Sequence, residues 1–345
     1  VFTSCATESN NAAVFGAVRA RPDRRHVITT AVEHPAVMEP CKDLARQGYE
    51  VEFLPVDHHG RIEPADFVRA LRPDTLLVSI MHGNNETGVV FPVGNLARIT
   101  KETSPEIIFH TDATQTVGKL PIDLKEEFSH VDLLTFSGHK LHGPKGVGAL
   151  FVRRGTPLRP LLLGGHQERG RRAGTENVAG IIGLGEACRV AAEHMGDYER
   201  VRALRDRLEQ TLRDRIPWLE VNGSGAERLA GSLSLACHCI EGESILAQLD
   251  AAGICASSGS ACTSGSLEPS HVLSAMKLPF TALHGSVRFS LSRYTTDEDV
   301  DRVIEVFPGV VESLRRMSPY WDREKQAPRA DVLGAAEAPA RTQSA

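Results

Sequence analysis

The chain has 345 residues, 41% of them hydrophobic and 24% charged, which suits a soluble globular protein large enough for two domains and excludes a small stapled scaffold. Its 39 basic and 44 acidic side chains leave a net charge of -5, giving no global attraction to nucleic acid or an anionic membrane. No apolar run reaches the roughly eighteen residues of a membrane helix, and seven scattered cysteines, an odd number, imply reduced thiols in a cytoplasmic setting.

Val1 to Ser4 reads as the tail of a strand whose start lies outside the chain, so a fragment of a longer protein is expected. Thr7 then opens a helix-like stretch through Val18. Apolar runs follow at Val27 to Val32, Val51 to Val56, Leu76 to Met81, Ile107 to Thr111, Val131 to Phe136 and Ala149 to Val152. Helical patterns such as Pro35 to Gln47 and Pro64 to Leu71 separate them, and this alternation is the signature of a largely parallel sheet wrapped by helices. Val178 to Arg215 reads as one or two helices leading into a second, α+β domain. That domain should hold a strand at Ser232 to Ile240, a helix at Glu243 to Ala252, a Ser/Gly-rich loop around Cys262 and a strand at Val287 to Leu291. Thr296 and Asp299 form a capping-box pattern for a final helix that Pro308 should kink. The expected organisation is a large domain over residues 1–195, a small one over 196–322, and a disordered Ala/Pro-rich tail over 323–345.

Ser137-Gly138-His139-Lys140, followed by Leu141-His142-Gly143-Pro144-Lys145-Gly146, sets a lysine at the end of a buried strand with glycines that allow close backbone approach. Such a lysine is placed to lose its hydration and form a Schiff base with an aldehyde cofactor, the obvious one being pyridoxal phosphate. The alternative is a surface lysine in a tight turn. The preceding strand ends at Asp112, and a carboxylate there could keep a pyridine nitrogen protonated, the condition for an electron sink; by itself it could equally be a turn former. In a parallel sheet both residues face one crevice at the carboxyl edge. In the small domain, Ser257 to Ser266 is small and polar around Cys262, surroundings that suit a reactive thiol. Cys237-His238-Cys239 and the His139/His142 pair lack the spacing of a structural zinc site. Strand alternation would put both thiols of the first pair on one face as core packing.

The strings AVEHPAV, HGNNETG, HTDATQ, SGHKLHGPKG and SSGSACTSGSLEPSHVL, in this order, closely resemble the cysteine desulfurases of pyridoxal-phosphate fold type I. The resemblance runs from residue 1 to about Trp321, and the string around Cys262 is highly specific. ERGRRAGTEN and the SPYW ending look most like the nitrogenase-associated NifS branch. The family carries a leading segment of several dozen residues before the position of Val1, so a truncated large domain is expected.

The resemblance implies a PLP-dependent transferase fold type I and a role at each matching position. Lys140 would bind pyridoxal 5'-phosphate and move the substrate's Cα proton, His34 would stack on the ring and relay protons, and Asp112 would pair with the ring nitrogen. Gln115 and Asn85 would address the phenolic oxygen and the substrate side. Ala6, Thr7, Ser137, His139 and, from the partner of a homodimer, Thr175 would hold the phosphate. Arg288 would fork onto the carboxylate of L-cysteine. Cys262 would take the sulfur as a persulfide, release L-alanine and pass the sulfur to an iron-sulfur scaffold protein, with no resident metal beyond a passing contact of Cys262 with a cluster. Two rivals stay open: a selenocysteine lyase or related lyase on the same scaffold, and an inactive truncated scaffold that only binds assembly partners.

Overall fold

The computed structural model describes residues 1–259 and 269–331. Two compact units divide the chain: residues 1–57, 61–85 and 89–196 form the first, and residues 58–60, 86–88 and 197–345 the second.

Unit 1 is built on a seven-stranded sheet. In chain order its elements are β1 (Phe2–Thr3), α1 (Ala6–Ala20), β2 (His26–Thr30), α2 (Pro35–Arg46), β3 (Glu50–Leu54), α3 (Pro64–Ala70), β4 (Thr75–Ser79), α4 (Val93–Thr103), β5 (Ile108–Asp112), β6 (Leu133–Ser137) and β7 (Gly148–Val152). A short helical turn, α5 (Gln167–Gly170), and α6 (Val178–Glu193) follow. The strand order is β1-β7-β6-β5-β4-β2-β3. Every neighbour pair from β6 to β3 is parallel, while β7 runs antiparallel to both β6 and β1. This is the mixed α/β, largely parallel architecture expected from the alternation of apolar runs and helical patterns. The interior strands β2, β4 and β5 are buried at every position, as a sheet covered by helices on both faces requires. On one face, Ala13, Val14, Ala17 and Val18 of α1 and Val37, Cys41 and Leu44 of α2 pack over Val27, Leu77, Ile108, Leu133 and Leu150.

Unit 2 carries α7 (Asp197–Arg215), a three-stranded antiparallel sheet of β8 (Leu219–Val221), β9 (Ser232–Cys237) and β10 (Ser286–Ser290), and the helices α8 (Gly242–Ala251), α9 (His271–Ala275), α10 (Phe280–Leu283) and α11 (Asp297–Met317). Leu208 and Leu212 of α7, Leu249 of α8 and Phe307 and Val311 of α11 close one core over Leu233, Leu235 and Val287. The capping box at Thr296 and Asp299 is present, both reciprocal hydrogen bonds included.

Helix α11 is one helix with Pro308 inside it, and buried Val303 and Phe307 before the proline and Val310 and Val311 after it pack both turns on the same core. Two expectations need correction. Cys239 is not on a strand face: β9 ends at Cys237 and Cys239 adopts φ 69° in the turn beyond, so alternation stops before it. The tail expected to be disordered from residue 323 starts with structure, since β11 (Trp321–Asp322) pairs with β12 (Ala327–Pro328); Trp321 is buried, with the Arg315 guanidinium 4.0 Å over its ring. The remainder of that tail, residues 332–345, and Cys262 lie outside the described residues.

Candidate active site

In a parallel sheet the loops that follow the strands all emerge at one edge, and the side chains singled out in unit 1 sit there. His34 follows β2, Asn85 follows β4, Asp112 ends β5 with Gln115 just beyond, and Ser137 ends β6 ahead of His139 and Lys140. The start of α1 belongs to the same edge. Because β1 is antiparallel to β7, and β7 to β6, β1 runs with β6, and the helix that follows it begins where β6 ends.

Asp112 is the fixed point of this edge. Its Oδ2 accepts a 2.6 Å hydrogen bond from Asn10 Nδ2, and its Oδ1 accepts one of 2.9 Å from the Thr114 backbone N–H. Its carbonyl oxygen takes the His82 N–H at 2.9 Å, so strand end and carboxylate are both held. His34 caps α2, and its Nδ1 accepts from the Ala36 N–H at 3.0 Å; the neutral imidazole therefore carries its proton on Nε2. Lys140 is exposed on the short 3-10 turn Gly138–Leu141. Gly143 closes that turn by donating its N–H to the Gly138 carbonyl at 3.0 Å. A Cβ at Gly143 would meet that carbonyl at 3.0 Å and the Ala187 Cβ of α6 at 2.9 Å, so a larger residue would push the lysine turn off its support. Ser137 Oγ and His139 Nδ1 are hydrogen-bonded at 2.9 Å, and partial burial, then the positive charges of Lys140 and Lys145, hold the His139 imidazolium below its ordinary pKa.

Burial neutralises the titratable groups beneath this edge. Glu33, fully buried, accepts from the Met81 N–H at 2.9 Å and from Thr30 Oγ1 at 3.0 Å through Oε1; desolvation pushes its carboxyl up to about 8. His110, hydrogen-bonded to Ser79 Oγ at 2.8 Å and Thr135 Oγ1 at 3.1 Å, is lowered by burial to about 4. His82, bonded to Thr116 Oγ1 at 2.8 Å, falls to about 4 for the same reason. Among the thiols, burial pushes Cys41 and Cys237 up to about 12 and raises Cys188 and Cys239. A thiol held protonated is a poor nucleophile, so these four are packing residues.

The remaining residues singled out from sequence lie as follows. Ala6 and Thr7 open α1 behind Cys5, which makes no side-chain cap, so first-turn amides are available to an anion. Gly148 makes this start possible, since a Cβ there would lie 2.8 Å from the Cys5 carbonyl carbon. Gln115 accepts from Lys119 Nζ at 3.3 Å. Thr175 is exposed in a cleft lined by Phe2, Thr3, Ser4 and Gly146, away from the lysine turn in sequence and element. The neighbouring basic loop is tied down by Arg172, whose guanidinium pairs with Glu8 at 2.8 Å. In unit 2, Arg288 is the third residue of β10. It exchanges backbone hydrogen bonds with Ser257 at 2.6 and 3.1 Å. Sequence reasoning missed Asn10, Glu33 and Thr114, the groups that hold or underlie Asp112 and His34. Asn10 sits one helical turn inside α1, and only its long-range bond to Asp112 reveals its use; Glu33 could have been noticed as a charge directly after the apolar run Val27 to Val32.

These residues fit pyridoxal phosphate: an uncapped helix start for a phosphate, a carboxylate pinned by two donors for a pyridinium nitrogen, an exposed amine for the aldehyde carbon, and an imidazole whose acceptor nitrogen is already used. Among the described residues no cluster of three or more His, Cys, Asp or Glu is arranged to hold a metal ion, and no helix is long and apolar enough to cross a membrane.

The chain belongs to the class-V aminotransferase family, whose pattern matches residues 1–303. Within that family its similarity is to cysteine desulfurases. It is 57% identical over 320 residues to cysteine desulfurase 2 of Trichormus variabilis, covering 93% of this chain and 79% of that protein. To the cysteine desulfurase NifS of Azotobacter vinelandii it is 55% identical over 322 residues, again covering 93% and 79%. A solved NifS-like protein superposes with a TM-score of 0.84 at 37% identity, over 91% of this chain and 82% of that one. The resemblance to the cysteine desulfurases read from the motifs is thus carried by most of the chain.

Proposed function

We propose that this chain is a cysteine desulfurase that uses pyridoxal 5'-phosphate to take the sulfur of L-cysteine onto Cys262, releasing L-alanine and supplying persulfide sulfur for iron-sulfur cluster assembly, in the manner of the NifS branch. The observation that carries the reading is the pairing of Asp112, pinned by Asn10 and Thr114, with Lys140 at the ends of adjacent parallel strands.

Lys140, His34, Asp112, Gln115, Asn85 and the first turn of α1 would hold the cofactor, with Ser137 and His139 beside the phosphate and Thr175 reaching it from a second copy in a homodimer. When bound, the cofactor supplies an electron sink that loosens the Cα proton and then the Cβ–S bond. The chain's own groups do the rest. Lys140 Nζ carries the proton to and from the substrate carbon. His34, with Nδ1 occupied by the Ala36 N–H, offers only Nε2 as a donor at the reacting end. Arg288 binds the substrate carboxylate bidentately, a geometry lysine cannot reproduce. The Cys262 thiolate forms a bond to the cysteine sulfur as the Cβ–S bond breaks, and the electron pair left on carbon takes up a proton to give alanine.

The test is incubation with L-cysteine followed by peptide mass spectrometry and alanine assay. An added sulfur on the Cys262 peptide, together with alanine, supports the reading. Alanine and free sulfide at an undiminished rate from the Cys262→Ser variant would favour the lyase instead, and sulfur on Cys5 or Cys255 would move the nucleophile.

A further inference from the structure

The start of α1, where the proposed chemistry places a phosphate, already carries a carboxylate that this chemistry does not use. Glu8 is the third residue of α1, and its side chain folds back past the helix end, where Oε2 accepts the Ser4 N–H at 2.8 Å. The carboxylate therefore stands at the same end of the helix as the Ala6 and Thr7 amides. Burial by itself would raise its carboxyl, but the hydrogen bonds from Arg172 and Ser4 outweigh that and hold it below its ordinary value, so Glu8 is ionised. A helix start favours an anion through its dipole and its first-turn N–H groups, and a second negative charge at the same place repels the first.

Arg172 removes that competition. Its Nε donates to Glu8 Oε1 at 2.8 Å and its Nη2 to Oε2 at 3.2 Å, a two-pronged pair whose side chains are only 24% and 12% exposed and which aligns charge as well as geometry. The loop that carries Arg172 has other holds. The Gly174 N–H donates to Gln167 Oε1 at 3.2 Å, and Asn177 Nδ2 donates to the Gly146 carbonyl at 3.2 Å, so the segment on either side of Thr175 is bonded without the ion pair. What Arg172 adds at the helix start is its charge. We propose that Arg172 neutralises Glu8 so that the start of α1 accepts the cofactor's phosphate, and that this ion pair sets the preference for pyridoxal 5'-phosphate over unphosphorylated pyridoxal. The inference rests on the reading that α1 receives the phosphate, and the experiment separates the two.

The full chain, freed of cofactor, is titrated with pyridoxal 5'-phosphate and with pyridoxal in the absence of L-cysteine, and each Kd is read from the visible absorbance of the bound aldehyde. In Arg172→Ala the uncovered Glu8 charge should weaken pyridoxal 5'-phosphate by about tenfold or more, the scale of one unit charge facing another at a part-buried site, and leave pyridoxal within about twofold. The loss should shrink as salt is raised from about 0.01 M to about 1 M. Adding Glu8→Gln to Arg172→Ala removes the repelling charge and keeps an acceptor for the Ser4 N–H, so the double variant should return to within about threefold of the parent. An equal loss of both aldehydes in Arg172→Ala, the result of a purely structural tie, would overturn the proposal, as would unchanged binding of pyridoxal 5'-phosphate in that variant. A double variant as weak as Arg172→Ala would mean that the guanidinium itself touches the phosphate, and would also refute it. A parent chain that binds the two aldehydes equally well would refute the phosphate site on α1, and the role of the pair with it.

Discussion

Unit 1 pairs its central strands in parallel and buries them on every side, whereas unit 2 pairs three strands antiparallel and covers them with α7, α8 and α11. The consequence for chemistry is opposite in the two. A parallel sheet buried on both faces leaves no room for a charged side chain along a strand, so unit 1 neutralises what lies inside, as at His110 and Glu33, and gathers its working groups where the strands stop. In unit 2 the residue proposed to bind substrate, Arg288, stands within a strand, β10, and its backbone pairs with Ser257.

Lys140→Ala tests the strand-end half of this contrast and should have the largest effect. Removing the proton-transferring amine should lower turnover by at least about 100-fold, and borohydride should no longer fix pyridoxal to the protein; a reducible linkage surviving in the variant would place the reactive amine elsewhere. Arg288→Ala tests the strand-edge half. Loss of a bidentate charged contact costs about 2 to 5 kcal/mol, so KM for L-cysteine should rise at least tenfold while the bound cofactor's absorbance stays as it was, and an unchanged KM would remove Arg288 from the substrate site.

A finer contrast lies in pH. The Glu33 carboxyl keeps its proton in the folded chain up to about 8, against 4.5 unfolded, so the folded state binds more protons across that window and stability falls as pH rises through it. The buried histidines His82 and His110, lowered from 6.5 to about 4, act in the other direction but only below 6.5. Urea midpoints measured between about pH 6.5 and about pH 8 should therefore decline in the parent and much less in Glu33→Gln, whose amide is neutral throughout; parallel slopes would mean that Glu33 is ionised when folded. The smallest effect belongs to unit 2 alone. Thr296→Ala removes one half of the capping box on α11 and should cost about 1 kcal/mol in a urea titration with KM and turnover unchanged, and a loss of activity there would show that the start of α11 reaches the chemistry.

Much of this was legible without coordinates because the signals are local. Alternation of apolar runs with helical patterns reports a parallel sheet, and a Thr-x-x-Asp pattern reports a cap. The lysine turn announces itself by its glycines, one of which, Gly143, has no space for a Cβ. What escaped was whatever depends on long-range closure. The edge strand β1 is two residues long, too short for periodicity to register, and it is defined only by its ladder to β7. The β11–β12 hairpin in the Ala/Pro-rich tail comes with a buried tryptophan stacked under Arg315.

The sequence by itself determined the fold class, through its alternation of apolar runs and helical patterns, and the family, through the strings that resemble the cysteine desulfurases, and it nominated Lys140, Asp112, His34 and Cys262 as candidates for the reactive residues. The tertiary structure alone decided how those residues are held. Asn10 reaches Asp112 across 102 positions, Met81 supports Glu33 across 48, and Ser270 meets Glu86 across 184. No local pattern encodes such pairs, since each exists only after the intervening chain has packed and closed water out of the space between the two groups.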